Sequence, residues 1–220
     1  MDLERTKERT SEEGMAKPGR LVELSVRMPS IVDVEGMVEI VSHPIAKPFH
    51  HVFESLHTVA LWKEMFILDN VFDFDIPNKL EGDRQKGEPC RRTLRGVRPK
   101  KTYLKAYSVQ PSFTAEHTSG YVSQNHAVYT ISSDVQGIGF GIDLDVSFQI
   151  EVVGRTETSS SVVVAVKPNV KRVPFWGLSR LVHQAIVDET AAVFGNLPVV
   201  ILRVLESEPL PASPRRQPGT

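Results

Sequence analysis

The sequence predicts an α+β protein in which a curved antiparallel sheet of about six to seven strands wraps around a long helix near the C-terminal end. Three observations lead there. Between residues 140 and 150, Phe140, Ile142, Leu144, Val146, Phe148 and Ile150 share one face, while Gly141, Asp143, Asp145, Ser147 and Gln149 share the other. That alternation is the mark of an antiparallel strand with one dry side and one wet side. Further β-type runs surround it, separated by turn residues. Last, "KRVPFWGLSRLVHQAIVDETAAVF" (171 to 194) carries Phe175, Leu178, Leu181, Val182, Ala185, Ile186 and Val193 as most of one helical stripe, interrupted by Glu189.

The elements follow in order. Residues 1 to 35 mix both charge signs with few bulky apolar residues, the composition of a disordered tail. "GMVEIVS" (36 to 42) alternates weakly and reads as a first strand. "FHHVFESLHTVALWKEMFIL" places Val52, Phe53, Leu56, Val59, Leu61, Trp62 and Phe66 at helical spacings. Pro48 suits a first helical turn, and Thr58 is available as an internal cap, so one bent helix or two short ones would fit. "VFDFDI" (71 to 76) alternates with period two and stops at Pro77. A polar loop with two glycines and a proline, "KLEGDRQKGEPC", comes next. "RRTLRGV", "KTYLKAYSV", "GYVSQNHAVYTISS", "FGIDLDVSFQIEVV" and "SSSVVVAVKPNV" are then strand candidates. The helix of about 175 to 194 stops at Gly195, and "PVVILRVLE" adds a short apolar helix. The proline-rich end from 206 to 220 reads as a second tail, leaving one domain over 36 to 205. A sheet gripping one helix can enclose a cavity larger than its own side chains fill.

Composition narrows the class. The chain has 220 residues, 40% hydrophobic and 24% charged, with a formal net charge of -1. Such a balance is that of a globular domain and argues against a general nucleic-acid binder. Cys90 is the only cysteine, so no intrachain disulfide forms, and a reducing compartment is favoured. No signal-peptide core and no run of about 18 apolar residues is evident, so a soluble, cytoplasmic chain is expected.

Candidate chemistry is sparse. His50, Glu54 and His57 fall at i, i+4 and i+7 of a helix, a geometry open to a metal. The HExxH pattern is absent and no fourth ligand is near, so a polar helix face is the better reading. "GIGFG" (137 to 141) superficially resembles a phosphate loop, but a strand follows it where a dinucleotide site needs a helix, so a bulge or turn is expected. There is no Gly-x-Ser-x-Gly elbow, Cys90 has no histidine nearby in sequence, and His117, His126 and His183 are scattered singly. The expectation is therefore no enzyme, no metal and no cofactor.

One segment has a strong local charge. From Arg84 to Lys105 there are nine basic residues, Arg84, Lys86, Arg91, Arg92, Arg95, Arg98, Lys100, Lys101 and Lys105, against Glu88 alone. An anionic membrane surface is the favoured target, at on the order of 1 kcal/mol per docked cation. Solvated outer faces of two strands are the plain alternative. Only Tyr103 and Tyr107 are present for base stacking, so nucleic acid is not expected.

The order of elements and the entrance to the last helix resemble the VASt domain, the sterol-binding module of the Aster and Lam membrane-contact proteins, related to the START helix-grip fold. The similarity covers roughly 36 to 200 and is most specific at "VAVKPNVKRVPFWGLSRLVHQAIVDETAAVF", where Trp176, Gly177 and Leu178 match the family's Trp-Gly-Leu. "PKKTYLKAYSVQPSF" resembles the basic strand before the family's central hairpin, and "GYVSQNHAVYTISSDV" the strand after it. The chain departs from the family at Val135, followed by Gln136 and Gly137 where a Val-Pro-Tyr turn is usual, and at "IPNKLEG". The resemblance implies a helix-grip fold that binds a sterol or similar lipid between sheet and helix and moves it between intracellular membranes. It implies lipid contact at Phe140, Ile142, Leu144, Val146, Phe148, Phe175, Trp176, Leu178, Val182 and Ile186. Membrane contact is expected at Arg91, Arg92, Arg95, Arg98, Lys100, Lys101, Lys171 and Arg172, with peripheral residence at membranes or their contact sites. Burying about 400 Å² of apolar ligand at roughly 25 cal/mol per Å² would contribute on the order of 10 kcal/mol before association costs. The alternative is a membrane-recruitment or protein-interaction module whose cavity is filled.

Overall fold

A computed structural model describes residues 36–82, 89–103, 107–139, 142–173 and 178–207. Both expected tails lie outside these residues, except that the last helix runs on to Ser207, two residues past the expected boundary.

Nine strands and four helices are described: β1 (Val38–Ile45), α1 (Phe49–Ser55), α2 (Val59–Leu68), β2 (Phe72–Asp75), β3 (Cys90–Val97), β4 (Lys101–Tyr103), β5 (Tyr107–Val109), β6 (Ser112–Ser123), β7 (His126–Gln136), β8 (Asp143–Thr156), β9 (Ser159–Arg172), α3 (Leu178–Phe194) and α4 (Leu197–Ser207). Seven strands form one sheet in the order β1-β9-β8-β7-β6-β3-β2, and every pairing is antiparallel. β4 and β5 pair with each other in a separate two-stranded sheet, so "KTYLKAYSV" holds two strands where one was expected.

The break between α1 and α2 follows from local chemistry. Thr58 sits in an extended conformation and its Oγ1 accepts from the Leu61 amide at 3.2 Å, the bond that starts a new helix. Its hydroxyl also donates to the Ser55 carbonyl at 2.8 Å, tying the new helix to the end of the old one. Thr58→Ala is expected to cost about 1 kcal/mol in urea unfolding, and an unchanged midpoint would show that packing alone sets the break. α2 ends with Asn70 in the left-handed region (φ 55), and the Val71 amide reaches back to the Phe66 carbonyl at 2.8 Å.

Most of the dry core lies under α1, α2 and α4. Val52, Phe53, Leu61, Trp62, Leu197 and Ile201 pack there against Leu94, Tyr129, Ile150, Val152 and Val162 of the sheet. The short C-terminal helix α4 is thus the more deeply buried one, and α3, the expected gripped helix, is half exposed along its length. The stretch from Ser179 to Ser207 is apolar enough by composition to cross a bilayer, contrary to the sequence expectation. Gly195 and Asn196 break it into α3 and α4, and α4 spends its apolar face on the sheet.

Candidate ligand-binding site

A smaller cluster, Leu144, Val146 and Val166, lies under the other half of the sheet, with Ile142 and Ile186 packed beside it. Ile40 and Phe148 touch both clusters, and beside them a cavity of about 560 Å³ remains. This falls inside the roughly 300–1,000 Å³ usual for small-molecule sites.

Each wall comes from one element. β8 contributes Leu144, Val146 and Phe148, the dry face read from the sequence, with Ile142 just before it. α3 contributes Leu181, Val182, Ala185, Ile186 and Val193, and its Phe194 stacks on Phe148 with ring centres 5.3 Å apart. α2 contributes Trp62, Met65 and Phe66, while β6 and β7 contribute Phe113, Ala115, Ile131 and Val135. Leu181 is 65% exposed although it lines the cavity, so it stands at the rim.

The rim also carries charge. Arg98 Nη2 lies 2.6 Å from Asp69 Oδ2, and its Nη1 lies 3.6 Å from Glu189 Oε2. These bridges join the end of α2 to the middle of α3 across the mouth. Being partly exposed, they are weak locks.

Besides Ser133 and Thr190, the wall carries His117, which belongs to a buried polar network. His117 Nδ1 is 2.9 Å from the Tyr129 hydroxyl, which is 3.3 Å from Arg92 Nη2. Arg92 is 3% exposed and also donates to the carbonyls of His57 and Leu56 at 3.2 and 3.3 Å. Trp62 donates from Nε1 to that same Leu56 carbonyl at 2.7 Å and packs its ring edge-on to His117. Burial, and secondly the Arg92 charge, hold the His117 pKa well below its ordinary 6.5. Unfolded chain therefore binds a proton that folded chain does not as pH falls below 6.5. The stability from neutral His117 is complete above 6.5 and is lost on acidification from there, by up to about 1.4 kcal/mol per pH unit. Urea unfolding at pH 7.5 and 5.5 should show the loss, and His117→Gln should flatten it; an equal slope in the variant would assign it to other groups.

The structure sorts the expected site residues. Ile142, Leu144, Val146, Phe148, Val182 and Ile186 lie on the cavity wall. Phe140, Phe175 and Trp176 lie outside the described residues, as does the side chain of Leu178. Of the basic residues, Arg91, Arg95, Lys100 and Arg172 are exposed, and Lys101 falls where side chains are not described. Lys171 is 45% exposed and pairs with Asp145 at 2.8 Å, a hydrogen bond that raises its pKa. Arg92 corrects the expectation of membrane contact. Strand alternation turns it into the core between the outward Arg91 and Thr93. Arg98 is likewise engaged at the rim with Asp69 and Glu189.

The metal reading of His50, Glu54 and His57 finds no support: no potential metal-ligand cluster occurs among the described residues, and His57 Nε2 bonds Ser119 Oγ at 2.7 Å. Gly137 and Gly139 both have positive φ (73 and 88) at the turn into β8, in keeping with a turn and not a phosphate loop. Sequence reading missed the contributions of α2, β6 and β7 to the cavity. The alternation Tyr129, Ile131, Ser133 and Val135 in β7 was the available signal.

No protein-family model matches the chain, and no curated protein matches it. Solved structures do resemble it. An aromatase/cyclase from a Streptomyces species is 10% identical, with 77% of this chain and 94% of that chain covered at a TM-score of 0.48. A norcoclaurine synthase from Thalictrum flavum is 16% identical, with coverages of 76% and 94% and a TM-score of 0.45. A START superfamily protein from Mycobacterium smegmatis is 14% identical, with coverages of 74% and 98% and a TM-score of 0.38. The chain has the helix-grip fold. Two of these similar structures are enzymes, which corrects the expectation that a chain of this kind is not one. The lack of a catalytic motif in a helix-grip sequence excludes nothing, and likenesses this distant assign this helix-grip chain no reaction.

Proposed function

We propose that the protein binds a sterol or similar hydrophobic lipid in the cavity between sheet and α3 and carries it between intracellular membranes. One observation carries the binding half: an apolar cavity of about 560 Å³ remains between the sheet and α3. A module with a filled cavity would leave no such space. The VASt-like features of the sequence support a sterol as cargo. Support for delivery to a membrane comes from the exposed Arg91, Arg95, Lys100 and Arg172 together with the apolar rim residue Leu181.

The test is exchange of a fluorescent sterol between donor liposomes and acceptor liposomes containing anionic lipid. Protein-dependent exchange is expected, weakened when Arg91 and Arg95 are both changed to Gln. Exchange no faster than with heat-denatured protein would remove the transfer reading.

A further inference from the structure

We propose that the cavity recognises one uncharged oxygen, a hydroxyl or carbonyl, on an otherwise apolar molecule, and that His117 reads that oxygen by donating a hydrogen bond from Nε2. The proposal rests on the ligand-binding reading above and adds what the ligand must carry.

The direction of each hydrogen bond leads to it. A guanidinium can only donate, so the Tyr129 oxygen accepts from Arg92 at 3.3 Å. The cationic Arg92 turns the Tyr129 proton away from itself and toward His117 Nδ1, 2.9 Å off. Nδ1 is then an acceptor, and the ring proton of neutral His117 sits on Nε2. His117 is 2% exposed, lies on the cavity wall, and makes no other hydrogen bond among the described residues. An N–H on the wall of an apolar cavity gains from an acceptor and gains nothing from a methyl group, so an oxygen arriving there is favoured.

Surrounding groups fix the ring and the charge. Trp62 packs against His117 with ring centres 4.6 Å apart at 81°, which limits its rotation. Arg92 already donates to the His57 and Leu56 carbonyls and to Tyr129, and none of its contacts reaches the cavity directly. A carboxylate at His117 would lose its hydration without direct contact to that cation, so an uncharged oxygen fits better.

The experiment uses the full chain, phenylnaphthylamine as a neutral fluorescent reporter, and decane, decanol and decanoate as competitors. Selectivity for decanol over decane should fall about tenfold in His117→Phe relative to the unaltered protein. Because a buried variant can fail to fold, the second arm is imidazole nitrogen and proton NMR of the unaltered protein. It should show His117 protonated at Nε2, with that proton shifted downfield by decanol and not by decane. A proton on Nδ1, or the same shift with both competitors, would overturn the proposal. So would an unchanged selectivity in a folded His117→Phe, or decanoate outcompeting decanol through His117. Failure of the reporter to bind at all would instead remove the ligand-binding reading beneath it.

Discussion

Trp62→Ala should destabilise the fold by about 3–5 kcal/mol, the range for removing a buried large aromatic side chain. Trp62 is 2% exposed and stands where three parts of the molecule meet. Its ring stacks on Tyr129 with centres 5.6 Å apart and meets His117 edge-on, and its Nε1–H ties α2 to the Leu56 carbonyl at the end of α1. It is also a wall of the cavity. The loss should therefore appear twice, in the urea midpoint and in a larger cavity that binds a small apolar ligand with less discrimination. Trp62→Phe keeps most of the packing and removes the hydrogen bond, so about 1 kcal/mol is expected there. Equal losses in the two variants would mean that the bond, and not the packing, is the main contribution.

Filling the cavity should abolish binding while leaving the fold in place. Ala115 and Ser133 are direct partners across β6 and β7, and both line the cavity. Ala115→Phe with Ser133→Phe places two rings side by side in the space a ligand would take. Affinity for a hydrophobic ligand should drop by more than tenfold. Stability should change less than in Trp62→Ala, because the rings enter existing space and do not overpack a closed core. Circular dichroism and urea unfolding check the fold, and fluorescence titration checks binding. Full affinity in the doubly substituted protein would place the ligand somewhere else.

Much of the architecture was legible because its causes are local. The alternation from Ile142 to Phe148, the Thr58 cap and the Gly195 stop each depend on neighbours in sequence and each appears in the structure as an element or boundary, but Gln149, expected on the wet face, is buried. The roles of the helices were harder to read. α3 has the long stripe, yet α4 is the one that fills the core, since burial is decided by what the sheet's curvature leaves room for. The site was legible by halves for a similar reason. β8 and α3 present apolar faces that announce a wall, whereas the contributions of α2 and β6 depend on long-range pairing. Arg92 shows the limit most clearly. In sequence it is one cation among nine, but the two-residue period of β3 sends Arg91 and Arg95 outward and Arg92 inward. There it orders Tyr129 and His117 beside the cavity.

Titration of the purified chain with a fluorescent sterol that accepts energy from tryptophan tests the central claim most directly, since Trp62 stands on the cavity wall. The cavity account predicts saturable one-to-one binding at about 1 μM or tighter, roughly 8 kcal/mol, with quenching of tryptophan emission that is absent in the doubly filled variant. Signal that rises in proportion to added sterol, equally in both proteins and without saturation, would contradict it.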